Sequence, residues 1–128
     1  MTHWLAIALG GALGAVGRAL ISGWTTKSLG ALGTTFPFGT LAVNLLGSFV
    51  MGLCFVIIVE HLKMPGHWRE VIMVGFLGAL TTFSTFSLEG LNMINHGQWH
   101  LALVYMVTSV FGCLLACFLG WHLAKLVI

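Results

Sequence analysis

Residues 75–90 read GFLGALTTFSTFSLEG, a glycine-rich apolar run that passes into a cluster of hydroxyls and two phenylalanines and ends near a carboxylate. It lies within a longer apolar stretch, His67 to Ile94, about 28 residues and so about 42 Å as one continuous helix. That exceeds the roughly 30 Å hydrocarbon core of a bilayer. Tilt would absorb the excess, and so would a break. The hydroxyl-dense GALTTFSTFS, near the middle of the stretch, is where a break is expected. Non-helical backbone at membrane depth is tolerated only where protein buries it or it lines water. A break there would free carbonyl oxygens, which are hard ligands suited to a small cation. Phe83 and Phe86, at i and i+3, would follow it on one helical face.

Working outward, three more apolar stretches fill the 128 residues. Spans are expected at about 3–26, 37–60, 67–96 and 99–126, making one four-span membrane domain. The joints carry breakers: KSLGALGTTFPFG, EHLKMPGHWRE and NHGQWH. Composition agrees, with 59% hydrophobic and 6% charged residues against about 25% charged in soluble domains. So few charges cannot cover a soluble surface, which excludes an ordinary soluble enzyme and a disordered tail. The expected fold class is an all-α integral membrane protein with four transmembrane helices, the third broken near its middle. Net charge is +2 with no basic cluster, so no nucleic-acid partner is expected. Cys54, Cys113 and Cys117 are odd in number and lie in apolar runs, which argues against a secreted disulfide framework. MTHWLAIALGG lacks the basic region of a cleaved signal peptide and reads as the first span.

Orientation is weakly encoded. Lys63, Arg69 and Lys125 lie on the side of the termini, against Lys27 opposite, with Arg18 deeper in span 1. Only Lys and Arg count in the positive-inside rule, so the bias favours cytoplasmic termini by three against one or two, yet is small enough to be compatible with insertion both ways. Trp4 and Trp24, and Trp99 and Trp121, bracket spans 1 and 4 as interfacial aromatics do. Gly10, Gly14 and Gly17, and Gly112, Ala116 and Gly120, form small-residue stripes that let membrane helices approach closely.

Polar side chains inside a bilayer are costly, so each suggests function. Span 1 has Arg18. Span 2 has Thr40, Asn44 and Ser48 on one face, and span 4 has Tyr105 and Ser109, continued at the same spacing by Cys113 and Cys117. Span 3 has Thr81, Thr82, Ser84, Thr85, Ser87 and Glu89. The stripes either line an aqueous path or, for Ser and Thr, bond their own helix backbone. A metal role for the thiols would need further convergent ligands. His96 and His100 flank the last turn and read as solvated loop residues.

GFLGALTTFSTFSLEG, with GTLAVNLLGS in span 2 and GGALGAVGR in span 1, closely resembles the CrcB/Fluc family of fluoride channels. The likeness covers the whole chain. It implies an antiparallel, dual-topology homodimer in the bacterial cytoplasmic (inner) membrane that passively exports fluoride and protects against its toxicity. It implies that Phe83 and Phe86 line the fluoride path beside Asn44, with Arg18 near the vestibule and Glu89 after the phenylalanine motif. Tyr105 and Ser109 fall on the family's polar track, and Thr40, Thr82 and Ser84 are further pore candidates. The carbonyls of Gly78 and Thr81 from both chains would hold a structural sodium ion at the dimer centre. Two features depart from the family: Cys113 and Cys117 stand where Ser or Thr commonly continues the track, and Ala79 replaces the second glycine before TTFSTFS. Two other readings remain open from the residues alone: a small four-span proton-coupled multidrug exporter using Glu89, and a non-transporting structural membrane subunit. No catalytic constellation is present, so an enzyme is the least expected.

Overall fold

The computed structural model describes Thr2–Ile128 and contains helices and no strand among the described residues. Helix α1 spans Thr2–Leu29, a short α2 spans Ala31–Thr35, and α3 spans Phe38–Cys54 before widening into a π-helical segment, Phe55–His61. After the Lys63–Pro65 turn, α4 (Gly66–Arg69) leads into a second π-helical segment, Glu70–Leu77, and then α5 (Gly78–Leu80). Thr81 and Thr82 are extended, with ψ of 157° and 122°. Helix α6 (Phe83–Asn95) and the long α7 (Trp99–Val127) complete the chain. Four stretches are long and apolar enough to cross a membrane: His3–Leu29, Phe38–His61, Gly66–Asn95 and Trp99–Val127. The protein is therefore a multi-pass membrane protein. The first stretch runs past residue 26 because Thr25 and Thr26 bond back to the Ile21 and Ser22 carbonyls. It stops only at Gly30, whose φ of 53° turns the chain.

Lipid tails are as apolar as leucine, so these helices gain little from hydrophobic burial against each other and depend on close contact. Glycines provide it in two seams. Helix α1 packs on Glu70–Leu77, and α7 on α3. In the first seam, a Cβ on Gly10 or Gly14 would collide with the backbone of Val71 or Phe76, and one on Gly75 would lie 2.7 Å from the Ile7 carbonyl oxygen. In the second, a Cβ on Gly52 would strike the Cys117 carbonyl and one on Gly120 the Phe49 carbonyl. The small-residue stripes thus serve packing within the chain. The opposite face of α1 carries Leu5, Leu9, Leu13, Val16 and Leu20, all exposed, a stripe suited to apolar surroundings.

The buried interior is small. Leu41, Met93, Ala102 and Tyr105 form its centre, with Phe36, Leu45 and Phe86 packed against it. Charges gather at the side of the termini, where His3 pairs with Glu70 and Lys125 lies 3.3 Å from Glu60. Lys125 also sits 4.4 Å above the Trp121 ring. Trp4, Trp24 and Trp99 stay exposed, as interfacial residues do.

The seams set a contrast among glycines. Gly14→Ala and Gly120→Ala push a methyl into backbone and are expected to lower unfolding stability by about 1–3 kcal/mol each. Gly23, with nothing within 4 Å of its would-be Cβ, is expected to tolerate alanine with no loss. Thermal unfolding of the three variants in detergent checks this, and equal melting temperatures would show that close approach is not what holds the bundle.

Candidate functional site

The extended pair Thr81–Thr82 organises the centre of the molecule. Asn44 Nδ2 donates to the Thr82 carbonyl at 3.0 Å, and the Thr82 N–H donates to Asn44 Oδ1 at 2.8 Å. One amide side chain on α3 therefore meets both backbone groups of a residue that has left the helical ladder. Each neighbouring end is closed as well. Thr81 returns its N–H and its Oγ1 to the Leu77 carbonyl at 3.1 and 3.0 Å. Thr82 Oγ1 accepts the Thr85 N–H at 3.2 Å and so caps α6.

These diversions have a consequence for carbonyls. In a continuous helix the Gly78 carbonyl would receive the Thr82 N–H, and the Thr81 carbonyl the Thr85 N–H. Both donors go to side chains instead, to Asn44 and to Thr82 Oγ1. Gly78 and Thr81 are thus among the positions whose carbonyl oxygens lose their usual helical partners. Gly78 is exposed and Thr81 half-buried.

Beside the extended pair lies a groove of about 450 Å³. Asn44, Ser48 and Met51 of α3, Thr81 and Thr82, Phe83 and Phe86 of α6, and Ser109, Cys113 and Cys117 of α7 all line it. No Asp, Glu, Lys or Arg does so. The Phe83 and Phe86 rings are 5.3 Å apart with 45° between their planes, and Phe83 is 76% exposed. The Ser109 hydroxyl is buried with no hydrogen-bond partner among the described residues, although buried polar groups are nearly always paired.

A second cavity, about 300 Å³ and mostly polar, opens between the α1–α3 connection and the end of α6. Thr40 and Glu89 line it, with Ser22, Thr26, Thr34 and His96. Glu89 is held at both oxygens: Thr40 Oγ1 donates to Oε1 at 2.8 Å, and Tyr105 OH donates to Oε2 at 2.7 Å. Tyr105, fully buried, also packs against Phe86 with ring centroids 5.1 Å apart and 54° between the planes. It joins the carboxylate of one cavity to the ring of the other.

The residues singled out from sequence therefore divide. Asn44, Thr81, Thr82, Phe83, Phe86, Ser109, Cys113 and Cys117 meet in one groove. Thr40 and Glu89 face the polar cavity, with Tyr105 between the two. Ser84 is exposed, 3.4 Å from Thr82 Oγ1 but outside the groove. Arg18 is half-buried on α1, lines neither cavity, and pairs with no carboxylate among the described residues. Sequence reasoning did not find Met51, which reads as one more apolar residue of span 2. His96, expected as a solvated loop residue, is exposed in the turn after α6, where it also borders the polar cavity with Nδ1 2.7 Å from the Asn92 carbonyl oxygen.

The bracket yields a stability test. Asn44→Leu orphans both backbone groups of Thr82, at about 1–3 kcal/mol for each buried unpaired group. Ser48→Ala removes no hydrogen bond of this network. A large drop in melting temperature for the first variant and little for the second is expected; parity would contradict the bracket.

Comparison with known proteins follows the same lines. Residues 5–121 match the family model described as CrcB-like protein, Camphor Resistance (CrcB). A protein of Hahella chejuensis named fluoride-specific ion channel FluC is 52% identical over 126 residues, covering 98% of this chain and 97% of the relative. One of the same name from Magnetococcus marinus is 50% identical over 121 residues, 94% and 96% of the two chains. Another from Pelobacter propionicus is 44% identical over all 128 residues and 97% of its own length. With identity of this order along nearly the whole length, and the motifs of the groove lying inside the matched region, the chain belongs to the CrcB-like protein family.

Proposed function

We propose that this protein is a fluoride-selective channel that lets the ion leave the cell passively across the bacterial inner membrane. The observation that carries the reading is the unpartnered Ser109 hydroxyl, buried in a groove walled by Phe83 and Phe86 and free of carboxylates. A donor kept without a partner at membrane depth is costly unless a ligand answers it. The groove suits an anion. Aromatic rings are electropositive at their edges, and Asn44 keeps one amide hydrogen beyond the one given to Thr82. Fluoride is small and tightly hydrated, so a pore must replace its water with several partners, none of them strong enough to trap it. The relatives' name supports fluoride as that anion.

The working unit in this reading is an antiparallel homodimer. The small Lys and Arg bias, three against Lys27 and the deeper Arg18, is compatible with insertion both ways. The exposed Phe83 and Gly78 support a second chain covering that face. A sodium ion at the dimer centre fits the chemistry available. Carbonyl oxygens are its natural ligands, and those of Gly78 and Thr81 are among the ones released from helical pairing. Two from one chain are too few, and a symmetric copy doubles them. The ion would supply fixed positive charge and hold the chains together.

Purified protein in liposomes should release fluoride and retain chloride, read with ion-selective electrodes. Phe83→Ile or Phe86→Ile keeps bulk but removes the ring edge. A rise of about 1.4 kcal/mol in the transport barrier corresponds to about a tenfold fall in flux. Unchanged flux in both variants removes the rings from the pathway, and equal release of chloride rejects fluoride selectivity.

Dual insertion has its own check. A reactive tag on the C-terminus should be labelled by an impermeant reagent from both sides of sealed vesicles. Labelling from one side alone would reject the antiparallel arrangement.

A further inference from the structure

Three sulfur-bearing residues meet in the groove: Cys113 and Cys117 on α7, and Met51 on the adjacent α3. Both cysteines are free and half-buried. They are four residues apart on a continuous helix, which sets their Cβ atoms about 5–6 Å apart on one face, within reach of a single ion. We propose that Cys113 and Cys117, assisted by the Met51 thioether, form a binding site for a soft divalent cation of the mercuric type, and that its occupancy obstructs the groove.

The charge and the ligand set select the ion. Thiolates and thioethers favour soft metals. A borderline ion such as zinc prefers four ligands, and among the described residues no three His, Cys, Asp or Glu side chains converge. Mercuric ion is content with two collinear sulfurs. On binding, each thiol releases its proton to water and each sulfur forms one bond to the metal, with no electron transferred. Two thiolates and a dication make a neutral unit, which a groove without charged side chains accommodates. A monovalent soft ion would leave a net negative charge there, and burying an unpaired charge is costly. The thioether adds a neutral third contact from the neighbouring helix. The site stands on sulfur chemistry alone, while its effect on transport rests on the fluoride-channel reading of this groove.

The test uses the full chain with mercuric chloride, followed by a wash in excess monothiol. Cys54→Ala removes the one cysteine outside the groove and should still retain one mercuric ion per chain. In that background, Cys113→Ser or Cys117→Ser should retain it about a hundredfold more weakly, because the second sulfur bond is intramolecular only when both thiols are present. Mercuric chloride should stop fluoride efflux in the Cys54→Ala protein, a dithiol should restore it, and the variant lacking both groove thiols should keep its own untreated rate. Equal retention with and without either groove thiol overturns the site, and so does equal inhibition of the variant lacking both. Protein that binds mercury in the expected pattern but passes no fluoride before treatment upholds the site and overturns the channel reading instead.

Discussion

Both backbone groups of Thr82 are met by one side chain, Asn44, through bonds of 3.0 and 2.8 Å. Within a bilayer the backbone must satisfy itself, since no water is available to do so. Two extended residues in the middle of a span are therefore possible only with such a substitute. Once the bracket is in place, the rest of the site follows. Thr82 Oγ1 is free to cap α6, the new helix starts at Phe83, and both rings fall on its first turn. The carbonyls of Gly78 and Thr81 lose their helical donors as the direct result. The polar asparagine of span 2 thus acts first on the scaffold, with one amide hydrogen left over.

Close approach of the helices makes the bracket reachable. Asn44 reaches Thr82 because span 2 passes near the extended pair, and a Cβ on Gly47 would strike the Thr81 methyl. The two glycine seams set the same spacing elsewhere, α1 against Glu70–Leu77 and α7 against α3. Glu89 shows the same economy. A carboxylate at this depth would be costly if bare, yet each of its oxygens accepts a hydroxyl from a different helix, Thr40 of α3 and Tyr105 of α7. That pair of bonds ties three spans together and seats Tyr105 against Phe86.

Much of this was legible in residues 75–90 and in the apolar pattern. The four helices follow from runs of about 20 or more apolar residues between clear breakers. What the pattern could not assign was which polar groups serve each other and which remain free. Thr40, Asn44 and Ser48 share a face by spacing, but the structure gives them three fates: Thr40 binds Glu89, Asn44 binds Thr82, and Ser48 lines the groove. Those partners are 49 and 38 residues away in sequence, so helical periodicity carries no trace of them. Met51 was hidden for another reason. Its role in the groove depends on the rotation of α3 against α7, and a methionine in an apolar run gives no sign of that.

In the proposed channel reading, the allocation of hydrogens decides what the groove offers an ion. Thr40 and Tyr105 donate to Glu89, Thr81 donates to the Leu77 carbonyl, and Thr82 donates to Thr85. Four of the hydroxyls that sequence offers as pore candidates or neighbours are therefore committed to the protein. In the proposed reading an ion in the groove meets what is left: the Ser48 and Ser109 hydroxyls, one amide hydrogen of Asn44, ring edges, and the thiols of Cys113 and Cys117, which are weak donors. A cluster of uncommitted hydroxyls would bind a small anion deeply and hold it. Few and weak partners spread along a groove let it enter without being trapped, which is the balance that conduction demands. The hydroxyl-rich motif thus serves first to hold two extended residues between helices, and in the proposed reading the ion is left to the groups that this construction does not consume.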